Sequence, residues 1–194
     1  MNQETRRSVV VSLLSVVVGV ATAWAGSQHG RLVAGVPVFA LCAVLAFAIN
    51  WIVFVPAYLL QTERYYDLTG SFTYIALIAV ALRATEAPSP RALLLAGLVV
   101  VWTARLGSFL FARILREGTD GRFDQLKPSA PRFFMSWTLQ GLWVLLTLSC
   151  ALAAITSVRV APPGTLGAVG AVIFVLGFAI EVTADRQKRR FRAN

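Results

Sequence analysis

Apolar residues along this chain run in blocks of about 20, the length a helix needs to cross the hydrocarbon of a bilayer. Six such spans can be drawn: Ser8–Ala25, Leu32–Leu60, Thr69–Arg83, Ala92–Leu115, Phe133–Ser157 and Thr165–Ala184. The second is long enough to tilt or to kink at Pro56, and the third is short. No internal repeat and no strand-period alternation competes with them. The pattern predicts an all-α fold, a polytopic membrane bundle of about six transmembrane helices forming a single domain over residues 1–194. The first span has a second reading. Arg6 and Arg7, the apolar core from Val9 to Val20, and the small residues Ala21, Ala23 and Ala25 also resemble a signal peptide.

Composition agrees with the pattern, since 57% of residues are hydrophobic and only 14% charged, a balance foreign to soluble domains. The net charge of +9 does not point to nucleic acid, because spans interrupt the basic residues. Sorted by loop, the cations fall mainly on one side: Arg6, Arg7, Arg64, Arg113, Arg116, Arg122, Lys127, Arg132 and the tail from Arg186 to Arg192. The other side has only Arg31, Arg83, Arg91 and Arg159. The positive-inside rule then places both termini in the cytoplasm. Cys42 and Cys150 lack metal-ligand spacing, and His29 is the only histidine. Buried free thiols are expected, and no metal site.

Polar residues inside or beside the spans are the candidates for chemistry. Arg105 sits in an apolar run, where a guanidinium costs about 2.5–3.5 kcal/mol to insert and usually faces an interior or a polar cavity. Helical spacing aligns it with Ala112, Arg113 and Arg116, above a loop containing Gly118, Asp120, Gly121 and Arg122. Glycine turns and forked arginines suit phosphate oxygens, although a positive-inside loop also explains the charges. The loop from Gln61 to Ser71 brings Glu63, Arg64, Tyr65, Tyr66 and Asp67 to a span start. It reads either as an interfacial belt, with Thr69 or Ser71 capping a helix, or as a site where Glu63 or Tyr66 polarises a substrate carbonyl. Gln61, Asp67 and Arg105 are candidates for substrate contact. On the sixth span Gly170, Gly177, Glu181 and Asp185 recur at helical spacing and continue to Lys188, Arg189 and Arg192, a basic end that suits either nucleotide phosphates or anionic lipid. Asn50 and Gln140 are buried polar groups in need of partners. Trp24, Trp51, Trp102, Trp137 and Trp143 read as core and lipid-facing residues.

Four ordered blocks resemble the steroid 5-alpha-reductase-like membrane family, in its bacterial branch: Glu63 to Ile75, Trp102 to Gly107, Gly118 to Phe123, and Glu181 to Lys188. The resemblance implies a multi-pass protein of the cell membrane, the bacterial inner membrane, with a cytoplasm-facing NADPH pocket. It also implies reduction of a carbon–carbon double bond conjugated to a carbonyl in a steroid-like or other lipid substrate. By motif position Arg113, Arg116, Glu181, Asp185, Arg189 and Arg192 would contact the cofactor, and Gln61 and Glu63 fall near the family's carbonyl-binding Gln-Glu pair. Against that family, the sequence stops at Phe191-Arg192-Ala193-Asn194, ahead of an Arg-His-Pro-Asn-Tyr-type motif, so the implied pocket is incomplete as given. Two other readings remain: a non-catalytic membrane scaffold or partner subunit, and a relative of isoprenylcysteine methyltransferases. Small-residue faces serve packing within and between chains alike, so they set no oligomeric state.

Overall fold

A computed structural model describes residues 3–159, 162 and 164–193, without the side chains of Glu117, Arg192 and Ala193. It contains six helices, α1 (Gln3–Gly26), α2 (Val38–Leu59), α3 (Tyr66–Arg83), α4 (Pro90–Glu117), α5 (Ala130–Thr156) and α6 (Thr165–Ala193). All are helical as expected, and five are long and apolar enough to cross a membrane. The exception is α3. At 18 residues it is about 27 Å long, and its first half is too polar. The chain divides into two compact units, Met1–Val160 and Ala161–Asn194. The second consists of α6, whose helix runs past the expected Ala184 to Ala193. Ala161 and Pro163, between α5 and α6, lie outside the described residues.

Several chain turns have a local cause. Ser89 caps α4 by accepting the Ala92 N–H at 3.2 Å, with Pro90 in the first turn, where its missing donor costs nothing. Gly118 ends α4 at φ +80°, a positive-φ conformation that glycine adopts without steric cost. The expected second span does not begin as a helix. Leu32–Val33 (β1) and Val36–Pro37 (β2) pair antiparallel as a tight hairpin. Its two central residues, Ala34 and Gly35, have φ of 50° and 81°, the twist a two-residue hairpin requires. Pro37 then directs the chain into α2.

Within the first unit α5 is the central helix, packed against α1, α2, α3 and α4. Lipid is as apolar as leucine, so close packing of small groups, more than hydrophobic burial, must hold such a bundle together. The contact face of α1 shows this: Ser8, Ser12, Ser15 and Gly19 are its buried residues. Each serine satisfies its hydroxyl on a carbonyl four residues earlier, so the face is dry without needing a partner. A Cβ added to Gly19 would lie 2.5 Å from the Phe47 ring.

The two ends of the unit differ. At one, the Arg31 N–H donates to the Thr156 carbonyl at 2.7 Å and the Val158 N–H to that of His29 at 3.1 Å, tying the hairpin to the end of α5. At the other meet the starts of α1, α3 and α5 and the ends of α2 and α4, where Arg132 pairs with Glu4 at 3.0 Å. Of the two thiols expected to be buried, Cys42 is, but Cys150 is exposed on α5, because the central helix still turns one side outward.

Candidate functional site

The charged end is built outward from the stop of α2. The Thr62 N–H donates to the Ala57 carbonyl at 2.9 Å and the Gln61 N–H to that of Tyr58 at 3.2 Å, the paired bonds of a Schellman cap. That cap needs a left-handed residue, usually glycine, and Gln61 fills it at φ +48°. Its side-chain amide donates to the Tyr58 carbonyl at 2.7 Å. Gln61 is thus an exposed helix cap.

The turn sends Glu63 inward, where it is 5% exposed. One carboxylate oxygen accepts the Asp120 N–H at 2.8 Å and the other meets Lys127 Nζ at 2.8 Å. Burial works to raise this carboxyl, but the Lys127 ammonium and the Asp120 N–H outweigh it and hold it below the usual carboxylate range. Glu63 is therefore an ionised pin between the α2–α3 turn and the loop after α4, with no proton to donate near neutrality.

Asp67 extends the network. One Arg113 nitrogen, Nη2, reaches Asp67 at 3.3 Å and Asp120 at 3.2 Å, while Arg122 Nε donates to the two Asp120 oxygens at 2.9 and 3.0 Å. The Arg122 guanidinium holds Asp120 below its ordinary value against the effect of burial. At Asp67 burial dominates and raises the carboxyl, only partly opposed by Arg113 and Arg122. The Tyr66 hydroxyl donates to the Ser136 carbonyl at 2.9 Å, and its ring lies 4.8 Å from that of Phe123 and 5.1 Å from that of Trp137. Thr69 and Ser71 do not cap α3. Both lie inside it and donate to the carbonyls of Tyr65 and Asp67, because α3 begins earlier, at Tyr66.

From this end a cleft of about 540 Å³ opens between α3, α4 and α5, within the ~300–1,000 Å³ of ligand pockets. Tyr66, Asp67, Ser71 and Gln140 line its polar part, and Trp102, Leu106, Leu110 and Trp143 its apolar part. The polar half of α3 that keeps it from qualifying as a span is the wall of this cleft. Two glycines set the wall's position: a Cβ on Gly70 would lie 2.7 Å from Gln140 Nε2, and one on Gly107 2.5 Å from Ser71 Oγ.

The structure thus brings Glu63, Tyr66, Asp67 and Arg113 together. Arg116 is exposed at the end of α4. Arg105 is half-buried with its guanidinium 5.4 Å from the Phe109 ring, outside the cleft lining. On α6, Glu181 and Asp185 are half-buried and Arg189 exposed, one turn apart from each other, and the side chain of Arg192 lies outside the described residues. Several participants were not legible as such. Lys127 looked like one more loop cation, Trp102 and Trp143 like core or lipid-facing residues, and Gln140 like an isolated amide. Their shared signal is position: each lies on a helix face, or in a loop, opposite the polar start of α3.

A family model described as "Protein of unknown function (DUF1295)" matches residues 53–194. The chain belongs to this family. DUF1295 proteins are membrane proteins, in keeping with the multi-pass helical architecture. The DUF1295 region starts in the second half of α2 and takes in every residue of the charged cluster and the cleft, leaving α1 and the hairpin outside it. No curated protein and no solved structure matches the chain.

Proposed function

We propose that this DUF1295 protein carries the membrane-embedded part of an NADPH-dependent reductase site for a lipid-like substrate with a carbon–carbon double bond conjugated to a carbonyl. One observation carries the reading. Blocks 63–75, 102–107 and 118–123, separated in sequence, all contribute to the charged end and the amphipathic cleft beside it. A lipid fits the apolar length of such a cleft, and a cofactor suits a charged, water-facing end. The reaction adds a hydride to the carbon beta to the carbonyl and a proton to the alpha carbon, and bound NADPH would supply the hydride.

The residues present fit the cofactor in part. Arg116 and Arg189 are exposed guanidiniums suited to phosphate oxygens, whereas Arg113 is committed to two carboxylates, yet its Nε is buried without a partner. In this reading Arg116 binds phosphate, and Arg113 positions Asp67 at the cleft mouth. Glu63 and Tyr66 act as positioning residues, since each is bonded to framework atoms. The cation count places this end in the cytoplasm, where NADPH is found.

The test is NADPH fluorescence with the full chain in lipid nanodiscs. Enhancement is expected, with affinity about tenfold weaker in Arg116→Ala, the loss of one charge-assisted contact. No enhancement, or enhancement indifferent to that substitution, sinks the proposal. A second reading, a scaffold that has kept the fold without the chemistry, is favoured by the mutual pairing of Glu63 with Lys127 and of Asp67 and Asp120 with Arg113. NADPH-dependent turnover of an enone lipid would rule it out.

A further inference from the structure

The cleft has a chemical polarity of its own. It follows α3 from Tyr66 to Tyr74, α4 from Leu110 back to Trp102, and α5 from Leu139 to Leu146, three stretches each about 12 Å long. Its polar floor lies at the Asp67 end and its aromatic roof, Tyr74, Trp102 and Trp143, at the other. The floor offers acceptors and spent donors. The Ser71 hydroxyl is used on the Asp67 carbonyl at 3.1 Å and the Tyr66 hydroxyl on Ser136. Gln140 is 8% exposed and donates through Nε2 to the Tyr66 carbonyl at 2.9 Å, which fixes which end of its amide is which. Its Oε1 is buried without a partner, and a buried acceptor left in that state is costly.

We propose that the cleft binds an apolar molecule with a single neutral hydroxyl, donated to Gln140 Oε1. An anionic head, carboxylate or phosphate, would meet the Asp67 carboxylate at the floor. A carbonyl head would face the Gln140 oxygen, acceptor against acceptor. A hydroxyl supplies the missing donor. The apolar body then runs outward along Leu106 and Leu110 toward the aromatic roof. Binding of this kind stands independently of the reductase reading, and any reducible carbonyl would sit elsewhere on the molecule.

The test uses the full chain in phosphatidylcholine nanodiscs with a photoactivatable farnesol analogue and the matched farnesyl methyl ether, which lacks only the donor. The alcohol is expected to label peptides of α3, α4 and α5 at the cleft about fivefold or more above the ether. Gln140→Leu should bring the two to parity. Leu106→Trp, which fills the cleft from α4 and leaves Gln140 in place, should remove labelling by both. Equal labelling of the wild type by alcohol and ether means that any bilayer chain fills the groove, and overturns the proposal. So does labelling that survives Leu106→Trp. The wild-type comparison decides the matter even if Gln140→Leu does not fold.

Discussion

Replacing Lys127 with Met removes the ammonium that neutralises Glu63 and keeps most of the aliphatic stem. The Glu63 side chain is 3% exposed and that of Lys127 14%, so the pair is largely out of water. After the change Glu63 retains the Asp120 N–H at 2.8 Å but has no cation beside it. Stranding one partner of a fully buried pair costs about 3–5 kcal/mol, and at this water-facing end, where the carboxyl can take a proton, about 2–3 kcal/mol is expected. The cost falls on the closure of the loop after α4, which carries Phe123, buried against Phe133, Trp137 and Tyr66. Opening the loop exposes that phenylalanine, so chymotrypsin cleavage at Phe123 reads the opening equilibrium and should accelerate roughly 30- to 150-fold. Lys127→Arg should stay near the wild-type rate.

The pH dependence supplies a second check. Glu63 is held below its unfolded value of about 4.3, so its pairing stabilises the closed loop above that pH and is lost as pH falls through the lowered native value. The difference between Lys127→Met and wild type should therefore be greatest at neutral pH and shrink below about pH 4. Equal cleavage rates at pH 7, or a difference unchanged in acid, would refute the assignment of Glu63 as an ionised pin.

Two further outcomes follow from local geometry. Gln61→Gly relieves a left-handed residue that costs about 1 kcal/mol and should raise the thermal midpoint in detergent. If Gln61 also touches substrate, NADPH-dependent turnover would fall while stability rises, and a rise in both excludes that role. In Gly141→Ala the new Cβ meets the Ala46 carbonyl oxygen at 3.0 Å and Phe47 Cα at 3.3 Å, backbone atoms that cannot turn aside. The α2–α5 seam should loosen by about 1–3 kcal/mol, seen as a lower thermal midpoint. An unchanged midpoint would show that the helices are less closely set than described.

The fold was legible because its determinants are local. Apolar length, a serine cap at Ser89, glycine at Gly118 and the loop cations all act within a few residues. The failures came where local and distant signals disagree. Leu32 to Pro37 is apolar enough for a span, but Gly35 and Pro37 favour a turn, and backbone bonds to Thr156 and from Val38 complete the hairpin. α3 starts with polar residues that suggested a loop, and becomes helical there because Gln140 and Arg113 partner them. The pairing of Glu63 with Lys127 spans 64 residues and leaves no trace in any periodicity. The candidate residues were thus found more readily than their partners, and the partners reveal what each residue does.

The ion pairs at the charged end also bear on how the protein is made. Arginine and lysine direct the orientation of a nascent membrane protein while acids contribute little, so Arg113, Arg122 and Lys127 act as topological signals as the helices enter the bilayer. Once the bundle closes, Asp67, Asp120 and Glu63 neutralise the same three cations. One set of charges thus serves twice in sequence, first in biogenesis and then in the finished molecule. A charge-removing substitution in this loop can act before there is any native structure to destabilise, and a charge-preserving one separates the two stages.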